Sequence, residues 1–167
     1  AIPGEGRIRI RAWKRLKSEL EEAQQTVLAT AARLLARREH SELELRQKLH
    51  LRGYTDELCD HAIAACYARK WLSEARFVEQ FISERRARGR GPIKIMAELR
   101  ARGVSESALE TLQPGADPWL QTLRSVYAKR YHGEPAKDQK ELAQRWRFLQ
   151  NRGFTYEQIA TVLEKLW

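Results

Sequence analysis

The chain has 167 residues, 31 of them Lys or Arg and 22 Asp or Glu, giving a formal net charge of +9. That length allows one substantial core or a short solenoid, and charged residues at 32% require much of the chain to stay in water. The positive balance suits an anionic partner such as nucleic acid, an acidic protein groove or a membrane face. No apolar run approaches the roughly 18 to 20 residues of a membrane span, which excludes a spanning helix on sequence grounds. With no signal-peptide pattern, a cytoplasmic protein is the expectation.

Residues 1–23 form a basic N-terminal segment. Pro3, Gly4 and Gly6 lead into the alternation Arg7-Ile8-Arg9-Ile10-Arg11, which suits a short strand or a basic tail. Six basic residues lie between Arg7 and Lys17 with no acid among them, and Glu19, Glu21 and Glu22 follow. A phosphate-binding arm and a solvated tail both fit that pattern.

A first unit is predicted over residues 24–71. Val27, Leu28, Ala31, Leu34 and Leu35 mark one face of a helix ending near His40. Ser41-Glu42-Leu43-Glu44 then reads as a capping box, and Glu42 with Arg46 and Glu44 with Lys48 have the spacing of surface ion pairs. The next stretch, Leu49-His50-Leu51-Arg52-Gly53-Tyr54-Thr55, recurs as Leu99-Arg100-Ala101-Arg102-Gly103-Val104-Ser105 and as Leu149-Gln150-Asn151-Arg152-Gly153-Phe154-Thr155. The glycines stand fifty residues apart each time, the mark of tandem supersecondary units. Each glycine is expected to end a helix in the left-handed conformation, with Leu49, Leu99 and Leu149 packing against Tyr54, Val104 and Phe154. Thr55, Ser105 and Thr155 then cap the following helix, and the same apolar residue faces Cys59, Leu109 or Ile159 as a hydrophobic staple. Cys59, Ala62, Ile63, Cys66 and Tyr67 form a core stripe on the third helix. The two cysteines lie about 10 Å apart along that helix, which makes them buried thiols rather than a disulfide.

The second unit covers residues 72–115. Ser73 is a candidate N-cap, and Phe77, Val78, Phe81 and Ile82 form the buried face. Arg88-Gly89-Arg90-Gly91-Pro92 breaks the chain, with Pro92 suited to the first position of the next helix. From Arg85 to Arg102 the chain carries seven cations, Arg85, Arg86, Arg88, Arg90, Lys94, Arg100 and Arg102, against one acid, Glu98. Glu98 stands four residues from both Lys94 and Arg102, leaving the arginines around the glycine turn without local partners. This is the strongest candidate binding surface in the sequence, with a merely solvated basic face as the alternative.

A third unit covers residues 116–167, opened by Asp117-Pro118 as cap and first helical residue. Trp119, Leu120, Leu123, Val126 and Tyr127 supply its first core face, and His132-Gly133-Glu134-Pro135 the break. Leu142, Trp146 and Leu149 point inward on the second helix, and Ile159, Val162, Leu163 and Leu166 on the last.

Catalytic signatures are missing. No Gly-rich phosphate loop follows a strand, no His-Glu-x-x-His pattern occurs, and no nucleophile sits beside a recognisable base. His40, His50, His61 and His132 fall at helix ends, turns or beside predicted core, and Cys59 and Cys66 with His61 are too few for zinc. The chain is therefore expected to be no enzyme and to need no cofactor or metal.

Three segments resemble the RecX regulatory proteins of bacteria: His40-Ser41-Glu42-Leu43-Glu44-Leu45-Arg46-Gln47-Lys48-Leu49, Trp71-Leu72-Ser73-Glu74-Ala75-Arg76-Phe77-Val78, and Arg88-Gly89-Arg90-Gly91-Pro92 running on to Glu98-Leu99 and Arg102-Gly103-Val104. The resemblance spans about residues 25 to 165, and the arginine-glycine-proline block is its most specific part. Trp71 and Ser73-Glu74 depart from the family's usual residues there. The resemblance implies an all-α fold, an elongated array of three tandem three-helix repeats. It also implies a monomeric regulator that binds in the groove of the RecA filament, limits its growth and suppresses its ATPase, strand exchange and co-protease action. Recombination, DNA repair and the SOS response would be modulated, and single-stranded DNA, with double-stranded DNA as a further candidate, would be bound directly. On this basis Arg85, Arg86, Arg88, Arg90, Lys94 and Arg102 are the expected contacts, extended by Arg37, Arg38, Arg52, Arg147 and Arg152. Alanine at Arg86, Arg88 and Arg90 is expected to leave melting nearly intact while removing RecA inhibition. The competing expectation is a DNA- or RNA-binding helical module without a recombinase partner, distinguished by a steep salt dependence.

Overall fold

The computed structural model describes residues 4–164, and every regular element among them is helical. They form two compact units, one ending at Ser73 and the other beginning at Glu74.

The first unit contains α1 (Glu5–Arg37), α2 (Glu42–Leu51) and α3 (Asp56–Ala68). Val27, Ala31 and Leu34 of α1 close on Leu45 and Leu49 of α2 and on Cys59, Ala62, Ile63 and Cys66 of α3. Both cysteines are free and buried. Burial pushes the thiols of both above their ordinary range, so they behave as small apolar side chains. The Ser41 capping box forms as expected, its hydroxyl accepting from the Glu44 amide at 3.1 Å. Charges of α2 pair with residues outside that helix: Arg46 donates to Asp60 of α3 at 2.7 Å, and Arg38 donates to Glu44 at 3.1 Å.

Two expectations need correction here. Arg7 to Arg11 are neither strand nor tail, because α1 runs unbroken from Glu5 for 33 residues. A five-residue alternation has no sheet to join, whereas Arg, Lys, Leu and Glu are good helix formers that extend a helix already anchored on a core. Tyr67, assigned to the core stripe of α3, is 40% exposed. It sits at the edge of that stripe, one residue beyond Cys66, close to where the chain turns at Lys70 with φ of 58°.

The second unit contains α4 (Glu74–Ala87), α5 (Pro92–Ala101), α6 (Glu106–Leu112), α7 (Ala116–Tyr131), α8 (Gln139–Asn151) and α9 (Tyr156–Leu163). Phe77, Val78, Phe81, Ile82, Ile95, Met96, Leu99, Val104 and Leu109 make one core, and Leu123, Val126, Tyr127, Leu149, Phe154, Ile159, Val162 and Leu163 another. Trp119, expected in the third repeat's core, packs into the second repeat's instead. It thereby ties α7 to α4–α6. Leu142 and Trp146 are only partly buried, and Leu166 lies outside the described residues. The cap of α7 is Gly115 rather than Asp117, which places Pro118 at the third helical position. Proline costs nothing there, because the first amides of a helix have no partner inside it.

The repeated turn is built as its residue types require. The amides of Tyr54, Val104 and Phe154 reach back to the carbonyls of Leu49, Leu99 and Leu149 at 3.3, 3.1 and 3.3 Å, with Gly53, Gly103 and Gly153 at φ of 87°, 81° and 99°. Thr55, Ser105 and Thr155 accept from Leu58, Ala108 and Gln158 at 3.4, 3.2 and 3.2 Å.

Gly153 also joins two repeats. The amide of Gly91 donates to the Arg152 carbonyl at 2.8 Å and that of Ile93 to the Gly153 carbonyl at 2.9 Å. A Cβ on Gly91 would stand 2.4 Å from the Gly153 carbonyl carbon, and one on Gly153 would stand 2.9 Å from Lys94 Cβ. The glycine of the Arg-Gly-Pro block is thus required by backbone docking against the next repeat's turn.

Candidate functional site

Of the seven cations, Arg100 pairs with Glu106, its Nη2 donating at 3.2 Å, and the others fall into two neighbouring environments, both in the second unit. In the first, Glu98 of α5 gathers three of the predicted contacts. Arg85 donates to its Oε2 at 3.1 Å, Arg90 bonds its Oε1, and Arg102 Nη1 stands 4.0 Å from Oε2. The Arg85 and Arg102 guanidiniums also lie over the Phe81 ring, 4.3 and 4.7 Å from its centre. Burial works against the Glu98 charge. The hydrogen bond from Arg85 and the charges of Arg90 and Arg85 outweigh that cost and hold the carboxyl below the usual carboxylate range. Arg85 and Arg90 therefore do have a partner, contrary to the expectation from helical spacing alone. Glu98 reaches back across the glycine turn to α4, a contact that sequence separation conceals. One carboxylate does not neutralise three guanidiniums, so the cluster stays positive while being fixed in place.

The second environment is a cleft of about 640 Å³ among the end of α4, α7 and α8. Its wall carries five cations, Arg86, Arg88, Lys129, Arg130 and Arg152, together with Gln121, Thr122 and Ser125, and no carboxylate. Gly89 at φ of 78° brings the α4 turn onto α7, where a Cβ would meet Val126 Cγ2 at 2.7 Å. Arg86 is a packing residue, donating to Thr122 Oγ1 at 3.0 Å and to the Pro118 carbonyl at 2.9 Å, 5.6 Å from the centre of the Trp119 ring. Arg152 donates to the Arg88 carbonyl at 3.2 Å and rests over Phe148 at 5.4 Å, and Arg130 lies over the same ring at 5.3 Å. A second hollow of about 510 Å³ shares Arg152 and Phe148 and adds Arg90, Lys94, Glu98 and Asn151.

The remaining predicted contacts are placed as follows. Arg88 and Lys94 are exposed. Arg147 is exposed on α8 and lines neither hollow. Arg37, Arg38 and Arg52 are exposed in the first unit, where Arg38 pairs with Glu44 and Arg52 donates to the Lys48 carbonyl at 3.1 Å. Lys129 and Arg130 escaped the sequence analysis because they look like ordinary charges in the last turn of a helix. Arg145 escaped it too: it is only 6% exposed and donates to the Tyr127 hydroxyl, the Glu134 carbonyl and Glu141 at 2.7, 2.5 and 3.1 Å. The triple alanine change at Arg86, Arg88 and Arg90 is consequently not neutral to packing, since Arg86 and Arg90 both hold tertiary bonds.

Comparison with known proteins places this arrangement. The RecX first, second and third three-helix domains match residues 28–66, 73–111 and 118–163 in turn. The chain belongs to the RecX family. Regulatory protein RecX of Halorhodospira halophila is 39% identical over 143 residues, 85% of this chain and 89% of that one. The Chromohalobacter salexigens protein of the same name is 41% identical over 138 residues, covering 82% and 90%, and that of Vibrio vulnificus 38% identical over 135 residues, covering 80% and 88%. Among solved structures, RecX from Lactobacillus salivarius superposes with a TM-score of 0.75 at 16% identity, covering 87% of this chain and 97% of that one. Another regulatory protein RecX gives 0.74 at 14% identity, covering 91% and 77%. At those identities the structural likeness is one of fold. The family is one of regulatory proteins rather than of known enzymes, built from three tandem three-helix domains. Among the described residues no helix is long and apolar enough to cross a membrane, and no group of three or more His, Cys, Asp or Glu is placed to hold a metal ion.

Proposed function

We propose that this RecX-family protein is a cytoplasmic, monomeric regulator that binds the RecA–single-stranded DNA filament. There it inhibits RecA's ATPase, strand-exchange and co-protease activities, and so modulates recombination, DNA repair and the SOS response. The observation that carries this is the ordered match of all three RecX domains, with relatives named regulatory protein RecX aligned over most of both chains. The cations support it physically. Arg85, Arg90 and Arg102 are held by Glu98, and Arg88, Lys94 and Arg152 are exposed or half-exposed beside them. Such a surface complements phosphates and acidic protein groups together, and tandem repeats suit a long polymer because stacking yields an extended binding face. Seated between neighbouring filament subunits, the protein resists the rearrangements that ATP turnover requires. Arg37, Arg38, Arg52 and Arg147 extend the contact.

The test is RecA ATPase on single-stranded DNA with increasing amounts of the pure protein. ATP hydrolysis should fall in a dose-dependent way, and Arg88→Glu with Lys94→Glu should weaken that effect without lowering the melting temperature. Undiminished hydrolysis at saturating protein would overturn the proposal.

A further inference from the structure

The cleft among α4, α7 and α8 carries five cations and no acid, whereas the neighbouring guanidiniums converge on Glu98. Like charges gathered in one concave wall repel one another, the more so where protein displaces water. An anion entering the cleft removes that cost. We propose that this cleft binds the phosphates of single-stranded nucleic acid directly, without a protein partner, with Lys129 and Arg130 of α7 working beside Arg88. It rests on the nucleic-acid side of the function proposed above and assigns that side a place.

The shape and the fixed groups fit this ligand class. A volume of about 640 Å³ lies within the roughly 300–1,000 Å³ of ligand pockets. Two of the five cations are anchored by polar bonds to the protein: Arg86 on Thr122 and Pro118, and Arg152 on the Arg88 carbonyl. Phe148, the one aromatic residue of the wall, has Arg130 and Arg152 over its ring. That ring is thus committed to orienting guanidiniums rather than to stacking on a base. Gln121 and Ser125 add neutral polar groups. Cations and hydroxyls of this kind contact the phosphate backbone, independent of sequence.

The experiment measures binding of a fluorescein-labelled oligothymidylate to the full chain by anisotropy between 50 and 200 mM salt, without RecA. Lys129→Glu with Arg130→Glu should weaken affinity at least tenfold. The milder Lys129→Gln with Arg130→Gln should lower the salt slope by about 1.4, at about 0.7 per phosphate lost from a single strand. Arg124→Glu with Lys140→Glu carries the same charge change on exposed residues outside the cleft and should shift affinity less than threefold. Equal weakening in the two charge-reversed proteins would overturn the proposal. So would saturable ATP binding, seen by calorimetry, that the cleft changes abolish while oligothymidylate binding is untouched. RecA inhibition by the same proteins is read separately. Strand binding lost with inhibition kept supports the cleft and places inhibition elsewhere; strand binding kept with inhibition lost overturns the cleft while the RecA function stands.

Discussion

Glu98 and His40 show how single residues couple charge to packing. Glu98 is held ionised below its ordinary value of 4.5 against the cost of burial by Arg85 and Arg90. Below that pH the unfolded chain takes up protons that the folded one does not, so the stability this carboxylate contributes is present above 4.5 and lost as pH falls through the folded value. Melts from pH 6 to 3 should therefore show wild type and Glu98→Gln converging on acidification; parallel curves would mean that the cluster contributes nothing. His40 works in the opposite charge sense. Its ring is buried, Nδ1 donating to the Arg38 carbonyl at 2.9 Å and Nε2 accepting from Lys48 at 2.8 Å. Burial lowers its pKa from 6.5, helped by the charges of Arg38 and Lys48 and opposed by the Arg38 carbonyl bond. The neutral ring is the folded form, so acidification below 6.5 erodes stability through this group, and a proton-detected titration of His40 should give a midpoint below 6.5. Arg86 and Arg88 separate packing from surface. Arg86→Ala should cost about 1–3 kcal/mol through lost charged hydrogen bonds. Arg88→Ala should stay within about 0.5 kcal/mol, which denaturant unfolding will measure.

Elements meet where glycine lets backbones touch. The Gly91–Gly153 junction leaves no room for a methyl group, so Gly91→Ala should lower stability by about 2–4 kcal/mol through overpacking against main chain that has no free rotor. Thermal melting followed by circular dichroism will read it. Gly153→Ala combines a left-handed φ of 99° with a 2.9 Å approach to Lys94 Cβ and should also lower the melting temperature. Helix α1 is the contrasting case. Trp13, Leu16 and Leu20 continue the stripe of Val27, Ala31 and Leu34, yet each of the first three is more than half exposed. Trp13→Ala should accordingly change the melting temperature hardly at all, since no core contact is lost. The repeated turns, their Thr and Ser caps and most residues of the core stripes were legible because they depend on neighbours within about six residues, whereas the cap of α7 and the placement of Trp119 were not. The start of α1 was not, because a short alternation of Arg and Ile is compatible with strand, tail or helix until a core anchors one of them.

For the whole molecule, net charge and repeat period were the informative quantities. An excess of nine positive charges predicts that binding to naked single strands weakens steeply with salt, by roughly 10³ to 10⁵ between 50 and 200 mM if six to ten phosphates are neutralised. Binding to RecA–DNA filaments should fall less, since apolar and shape contacts do not release counterions, and equal slopes would remove the filament contact. Sequence alone determined the all-helical repeats, their capped turns and the excess of arginine between residues 85 and 102, because hydrophobic period, cap chemistry and glycine conformation are local. Only the tertiary structure decided which arginines are committed to Glu98, Thr122 or Phe148, and that Lys129 and Arg130 share a cleft with Arg88. Most of those relations join different helices, as Arg86 of α4 does with Thr122 of α7 and Arg130 of α7 with Phe148 of α8, and spacing within one helix does not encode them.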